Sequence, residues 1–174
     1  MRRITTRGGG PTRALDDALR STFVAEFLSP SSRIWLLSPW VSDIPVLDNR
    51  GGELSALVPG GLSKEMTLTG VLRLLAGVGT EVIVIVRPDP RNDAVVSHLR
   101  DLAVFEGLPI HVIAWENLHD KGLLTDHVYF EGSMNFTHYG RNVNEEGVTI
   151  SRDPDLLSRM KIDLEARFGG HIER

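Results

Sequence analysis

Residues 118–150 read LHDKGLLTDHVYFEGSMNFTHYGRNVNEEGVTI, a strand-like stretch that carries an unusual number of reactive side chains. His119 and Lys121 are two residues apart, so in a strand their side chains point to the same face. Residues 126–127 predict a turn, after which residues 128–130 return as a second strand. The pattern therefore predicts a hairpin whose open end collects polar groups, those of His119, Lys121, Ser133 and Asn135.

These four side chains together suit a phosphoryl group. The lysine supplies positive charge, while serine and asparagine donate hydrogen bonds to nonbridging oxygens. Histidine acts as a nucleophile or a general acid near neutral pH. The residues by themselves therefore predict a site for phosphate chemistry.

Helical and strand patterns alternate along the rest of the chain, which is typical of an α/β domain. Residues 81–86 (EVIVIV) predict a buried strand, and residues 12–28 predict an amphipathic helix. Asp153 and Pro154 predict the start of a last helix, which Gly169 ends. Further predicted elements are strands at 34–37 and 110–115, a helix at 69–78, and a helix from 92 or 93 to Gly107 whose inner face includes Phe105.

The 174 residues predict a single domain, residues 1–174. Residues 1–10 are expected to be flexible. Residues 41–64 are rich in Gly, Pro, Asp and Ser and predict one long loop, either functional or a plain surface insertion. No internal repeat is visible.

Composition excludes several classes of protein. The chain has no cysteine, which rules out disulfides, Cys-ligated zinc and a thiol nucleophile. It has no apolar run of about 18 residues and no signal-peptide pattern, so a cytoplasmic protein is expected. The net charge of −4 argues against a general nucleic-acid coat protein but allows a local basic groove.

The spacing of the polar residues resembles the signature of the phospholipase D superfamily, H-x-K-x4-D…G-S-x-N. Here His119 and Lys121 open the motif, Asp126 follows, and Ser133 and Asn135 close it. Five residues separate the aspartate from the G-S pair, where six is commoner. An acid that the family often carries further on is matched by Glu146.

The resemblance implies an α/β/α sandwich with a central mixed sheet flanked by helices. It also implies a phosphodiesterase that uses no metal and no cofactor, with His119 forming a covalent phosphohistidine. Lys121 and the two substrate-binding residues Ser133 and Asn135 would stabilise charge on phosphorus. Glu146, or Glu145 beside it, would orient the histidine, and Asp126 would support the same network.

That mechanism needs two histidines in H-x-K motifs, whereas the chain holds only one such motif. The consistent expectation is a twofold homodimer with one shared site at the interface. Each subunit would contribute one copy of the motif.

Three functions remain open for such a chain. The resemblance is closest to small, single-motif bacterial-type nucleases, so DNA or RNA cleavage is favoured. A phospholipase or phosphatidyltransferase is the second possibility, and an apolar acyl channel would distinguish it from a basic groove with aromatics. The third is a catalytically silent nucleic-acid-binding module of a larger complex, since some small family members occur in bacterial DNA-modification or phage-defence gene clusters.

The other polar and aromatic residues are interpreted more plainly. Four histidines are expected to be ordinary surface or strand residues, namely His98, His111, His127 and His171, and His138 is favoured as structural although it follows the motif. Three arginines, Arg87, Arg91 and Arg141, either line a groove for a phosphate backbone or are solvated. Trp40 and Tyr139 either stack on a base or pack in the core.

Overall fold

A computed structural model describes residues 1–5, 13–52, 54–56, 64–137 and 147–172 of the chain. The strands are β1 (Arg2–Thr5), β2 (Arg33–Leu37), β3 (Pro45–Asp48), β4 (Glu65–Thr67), β5 (Glu81–Val86), β6 (Ile110–Ala114), β7 (Gly122–Leu124), β8 (Tyr129–Gly132) and β9 (Gly147–Ser151). The α-helices are α1 (Arg13–Leu28), α2 (Leu68–Gly77), α3 (Asp93–Glu106) and α4 (Pro154–Phe168). Short 3-10 helices span Pro90–Asn92 and Gly169–His171.

Seven of the strands form one mixed sheet in the order β1-β9-β8-β7-β2-β5-β6. Strands β2, β5 and β6 are parallel, and the pairings from β2 through β7, β8 and β9 to β1 are antiparallel. Strands β3 and β4 form a separate two-stranded ribbon. The predicted α/β class with a mixed central sheet is confirmed.

Strand β5 shows how the sheet is covered on both faces. Its alternate residues Val82, Val84 and Val86 pack in one core with residues of α1, α2 and α3. Ile83 and Ile85 pack in a second core with residues of α4. Because both faces are buried, the strand is apolar from Val82 to Val86, which is why its position could be predicted. Within the described ranges, no helix combines the length and apolar composition that a membrane span requires.

Three expectations outside residues 118–150 differ from the structure. Residues 2–5, expected to be flexible, form β1 and pair with β9. The expected loop 41–64 contains β3, whose two central residues are buried in the core that includes α1 and α2 while the strand pairs with β4. Phe105 is 81% exposed rather than on the inner face of α3. At 3.6 residues per turn it lies about a quarter-turn away from the buried stripe through Leu99 and Leu102.

Candidate active site

The sheet topology brings most of the predicted site residues to one end of the sheet. Leu37, the last residue of β2, pairs with Gly122, the first residue of β7. Gly122 in turn pairs with Glu131, and Gly132 at the end of β8 pairs with Val148 near the start of β9. Strand β5 runs parallel to β2 and ends on the same side. We call this the His119 end; the opposite end, where β7 turns into β8, is the Asp126 end.

His119 and Lys121 lie just before β7, in irregular chain rather than in the strand that the sequence predicts. The His119 side chain is exposed, and Lys121 is half-buried. The Lys121 Nζ donates a hydrogen bond of 2.8 Å to the backbone carbonyl of His119. The backbone N–H of Gly132 donates to the carbonyl of Lys121 over 3.3 Å, which ties the motif's first half to the end of β8.

Ser133 and Asn135 follow β8 at the same end. The N–H of Ser133 donates to the carbonyl of Gly147, and the N–H of Gly147 donates to the Ser133 Oγ, each over 3.0 Å. A Cβ on Gly132 would lie 1.9 Å from the Gly147 carbonyl oxygen, so only glycine allows β8 and β9 to approach this closely. The Asn135 Oδ1 is buried and has no hydrogen-bond partner in the described part of the chain.

The structure therefore places the four polar residues of the predicted hairpin at one end of the sheet. Their side chains do not hydrogen-bond one another within the described ranges. Lys121 and Ser133 each bond to main chain, which leaves the His119 ring free to meet a different partner.

That partner is Arg87, the residue that follows β5. Its Nη2 lies 2.9 Å from the Nδ1 and 3.2 Å from the Nε2 of His119, and its Nε donates to the carbonyl of Leu118 over 2.7 Å. An Nη2 this close to both ring nitrogens lies against the face of the imidazole and not along the lone pair of either nitrogen. The sequence could not decide between a groove and a solvated role for this residue, and the structure joins it to the candidate nucleophile.

Asp126 lies at the other end of β7 and contacts a different set of groups. Its carboxylate accepts from the Lys161 Nζ over 2.6 Å, from the N–H of Ser32 over 2.7 Å and from the Ser32 Oγ over 3.0 Å. Burial raises the pKa of the Asp126 carboxyl, but the bonds from Lys161 and Ser32 outweigh it and hold the pKa below its usual range. The expected support of His119 by Asp126 is thus not a direct contact; the carboxylate ties the β7–β8 turn to α4 and to the start of β2.

The remaining predicted residues separate into two groups. Glu145 and Glu146 lie outside the described residues, as do His138, Tyr139 and Arg141. The other histidines make ordinary contacts: His111 lies 3.4 Å from Glu81, the His127 ring contacts the Ser29 carbonyl, and His171 packs on Trp115. His98 is exposed on α3.

A cleft of about 650 Å³ opens beside His119 on the α4 face of the sheet. Besides His119 and Lys121, its walls carry Arg3 from β1, Tyr129 from β8 and Arg167 from α4. Burial, together with the nearby carboxylates of Glu131, Asp120 and Asp163, raises the pKa of Tyr129 to about 12, so its phenol remains a neutral donor near pH 7.

Sequence reasoning did not find these three cleft residues. The alternation of residues in β8 places Tyr129 and Glu131 on one face and offers a signal for the tyrosine. Nothing local marks Arg3 or Arg167, because their elements are distant from the motif in sequence and meet it only through the sheet order and the packing of α4.

Comparison with known proteins identifies the architecture. No family model matches the sequence, and no curated protein matches it. Solved structures do match: NucT from Helicobacter pylori (TM-score 0.60, 10% identity, covering 95% of this chain and 94% of that one) and Nuc from Salmonella typhimurium, a phospholipase D family member (0.58, 16%, 97% and 95%). The chain has the phospholipase D fold.

This chain also matches one part of a larger protein. Phosphatidylserine synthase from Haemophilus influenzae Rd KW20 matches with a TM-score of 0.61 and 14% identity, over 95% of this chain but 37% of that one. The expected phospholipase D-like sandwich is confirmed, and at these identities the likeness is one of fold.

Proposed function

We propose that this chain is a metal-independent phosphodiesterase that cleaves DNA or RNA through a covalent phosphohistidine at His119. The observation that carries the proposal is the meeting of an imidazole, a guanidinium and an ammonium at one open end of a phospholipase D fold. The His119 ring lies 2.9 Å from Arg87, and Lys121 is bonded to the histidine's own main chain. Such a set of groups matches a phosphate and its transition state in shape and charge.

In the proposed first step, a ring nitrogen of His119 attacks phosphorus and a P–N bond forms. The P–O bond to the leaving group breaks, and the leaving oxygen takes a proton from a second histidine. In the second step, water gives its proton to that second histidine and breaks the P–N bond, which restores His119. Lys121, Ser133 and Asn135 stabilise the charge on phosphorus. Glu146 or Glu145 orients the ring in this scheme.

The second histidine is supplied in our proposal by His119 of the partner subunit in a twofold dimer. The chain has a single H-x-K motif. NucT and Nuc are covered over 94% and 95% of their length, so these neighbours are also of one-domain size, whereas the synthase is far longer. A one-domain chain that needs two motifs obtains the second one by pairing.

The lining of the cleft favours a nucleic acid over a lipid. Around His119 the walls are mostly polar and charged, and Trp40 lies nearby under the guanidinium groups of Arg87 and Arg91, at 5.6 and 4.4 Å from the ring centroid. The more apolar cavity, of about 670 Å³, lies at the Asp126 end beside Trp35 and Ile162. A lipid phosphodiesterase needs its acyl groove next to the nucleophile, not at the far end of the sheet.

The first test is hydrolysis in excess EDTA of bis(p-nitrophenyl) phosphate, of single- and double-stranded DNA and RNA, and of phosphatidylcholine vesicles. We expect wild-type activity on a nucleic acid to survive EDTA and to fall at least about 10³-fold in His119→Ala. His127→Ala is the matched control, because that histidine is exposed at the Asp126 end. Activity that EDTA abolishes, or that His119→Ala keeps, contradicts the mechanism, and turnover of the vesicles alone contradicts the substrate.

The dimer is tested with a tagged heterodimer that carries one wild-type and one His119→Ala subunit. A shared site needs both histidines, so the heterodimer should be as inactive as the double variant. Independent sites would instead leave about half of the activity. Light scattering of the wild-type protein reports the mass directly, and a monomer that is active would contradict the proposal.

A further inference from the structure

Arg87 has no carboxylate partner in the part of the chain that the structure describes. It is nevertheless half-buried. An arginine that is removed from water usually gains an acidic partner, because an unpaired charge is costly to bury. Ion pairs with Asp or Glu are formed by five other arginines, Arg33, Arg50, Arg73, Arg91 and Arg167.

The nearest acid in the sequence, Asp89, is already occupied. Its carboxylate accepts from the main-chain and side-chain N–H groups of Arg91 and from the Trp40 Nε1. These bonds hold the pKa of Asp89 well below its usual range, so it stays ionised and engaged with Arg91. Among the described residues, Arg87 is therefore left without a carboxylate that compensates its charge.

The position of Arg87 is fixed by its surroundings. Asn92, which is only 1% exposed, donates to the carbonyls of Arg87 and Pro39 over 2.8 and 2.9 Å and accepts from the N–H of Val41. This amide locks together the segments that follow β2 and β5. The guanidinium itself lies 5.6 Å from the Trp40 ring centroid and donates its Nε hydrogen to the carbonyl of Leu118. These contacts fix both the main chain and the guanidinium of Arg87.

Part of the guanidinium fork is still available to a ligand. The Nε is used by Leu118, and Nη2 contacts the His119 ring, but Nη1 has no partner among the described residues. Guanidinium binds phosphate oxygens through two parallel N–H bonds, and such charge-assisted bonds are about twice as strong as neutral ones. A phosphate oxygen therefore competes well with the imidazole ring for the Nη2 group.

We propose that Arg87 binds the nonbridging oxygens of the scissile phosphate and at the same time uncaps the nucleophile. Before substrate arrives, the Arg87 Nη2 lies against the His119 ring and blocks the approach of a phosphate to it. When the phosphate enters, the Nη2 turns from the ring to a phosphate oxygen, which leaves the ring nitrogens open to the phosphorus. The uncapping role rests on the proposed function, because it takes His119 as the nucleophile; the anion site itself does not require turnover.

Binding is tested with inorganic phosphate, followed through the His119 ring signals by NMR. Wild type should bind phosphate with a shift of those signals, and Arg87→Ala should weaken binding at least about tenfold. Arg91→Ala is the matched control, because it removes an arginine from the same loop and the same tryptophan but one already paired with Asp89. It should change the dissociation constant less than about twofold.

Turnover of bis(p-nitrophenyl) phosphate tests the uncapping. Arg87→Ala should lower kcat/KM by about 10² to 10³, chiefly in kcat, because the donor acts on the transition state. Arg87→Lys should recover only part of the loss, since lysine restores charge without the fork. Millimolar guanidinium should rescue Arg87→Ala and leave His119→Ala inactive.

The two proposals fail separately. If Arg87→Ala matches Arg91→Ala in both binding and turnover, the role of Arg87 is wrong while the phosphodiesterase remains. If wild type hydrolyses nothing but phosphate binding still depends on Arg87, the function is wrong while the anion site stands. If Arg87→Ala does not fold, Arg87→Lys carries the same comparison, because it keeps the aliphatic stem beside Trp40. Full phosphate binding by Arg87→Lys would overturn the need for a fork.

Discussion

The two ends of the sheet differ in how fully their cations are neutralised. At the Asp126 end, Lys161 pairs with Asp126, and Arg33 bridges Glu81 and Glu165. At the His119 end, Arg167 pairs with Asp120, but among the described residues the Nζ of Lys121 bonds only to a backbone carbonyl and Arg87 meets no carboxylate. An end whose charges neutralise one another serves the scaffold. An end that keeps some of its cations unneutralised provides a site for an anion, because the field is already in place before the ligand arrives.

The largest expected effect comes from removing a lysine at the His119 end. Lys121→Met should lower kcat/KM for a phosphodiester by about 10³-fold, equivalent to about 4 kcal/mol of transition-state stabilisation, because in the proposed mechanism its ammonium stabilises the developing charge on phosphorus. Steady-state kinetics on bis(p-nitrophenyl) phosphate measure it. Lys161→Met is the matched control at the Asp126 end and should keep kcat/KM within about twofold. Equal losses of kcat/KM in the two variants would show that the two ends of the sheet do not differ in their contribution to catalysis.

Gly132 tests the backbone contact that builds the His119 end. A Cβ would lie 1.9 Å from the Gly147 carbonyl oxygen, so Gly132→Ala must push β8 and β9 apart. We expect a loss of about 3 kcal/mol in the free energy of unfolding, measured by urea denaturation. Gly77→Ala, where nothing lies within 4 Å of the added Cβ, should stay within about 1 kcal/mol of wild type. A stable Gly132→Ala protein with unchanged activity would show that this close approach is dispensable.

Replacing Asp126 tests how much the Asp126 end contributes to stability. Asp126→Asn should cost about 1.5 kcal/mol of stability, because it weakens charge-assisted bonds to Lys161 and Ser32, and should leave kcat unchanged. The pKa of Asp126 is lowered in the folded state, so the stabilisation is present above the unfolded pKa of about 4 and is lost as the pH falls below it. Urea melts at pH 7 and pH 3 should therefore show the gap between wild type and variant narrowing in acid. A stability difference between wild type and variant that grew in acid would contradict the lowered pKa of Asp126 in the folded state.

The smallest expected effect is at an exposed ion pair of the same end. Glu165→Gln removes one partner of Arg33 but leaves Glu81 in place. Because the Glu165 side chain is half-exposed, the loss should be about 0.5 kcal/mol and should vanish in 1 M salt. Thermal melts at low and high salt measure it, and a loss of several kcal/mol that salt does not reduce would show that this pair is a core element of the fold.

Local sequence patterns predicted much of the fold. The bounds of β5 and the end of α4 at Gly169 follow from an apolar run and from helix-stop chemistry, and the turn at residues 126–127 follows from its flanking strand patterns. The failures were also local in origin. Phe105 was placed inward because a hydrophobic residue in the last turn looks like a core residue, whereas the helix rotation carries it into solvent.

The candidate site was only partly visible in the sequence. The motif gives His119, Lys121, Ser133 and Asn135, because hairpin spacing is a local property, and the structure places all four at one end of the sheet. Their catalytic roles stay predictions, as do those of Glu145 and Glu146. Asp126 belongs to the motif by spacing but lies at the far end of β7 from His119, because the strand runs between the two residues.

The sequence by itself determined the chemistry on offer: one H-x-K motif, no cysteine and a polar hairpin set among buried strands. Only the tertiary structure decided which charges face that motif. Arg87 stands 32 residues before His119 and reaches it because β5 runs parallel to β2, which itself pairs with β7. Such neighbours arise from strand order and helix packing, which bury apolar faces over the whole chain, and no local spacing records them.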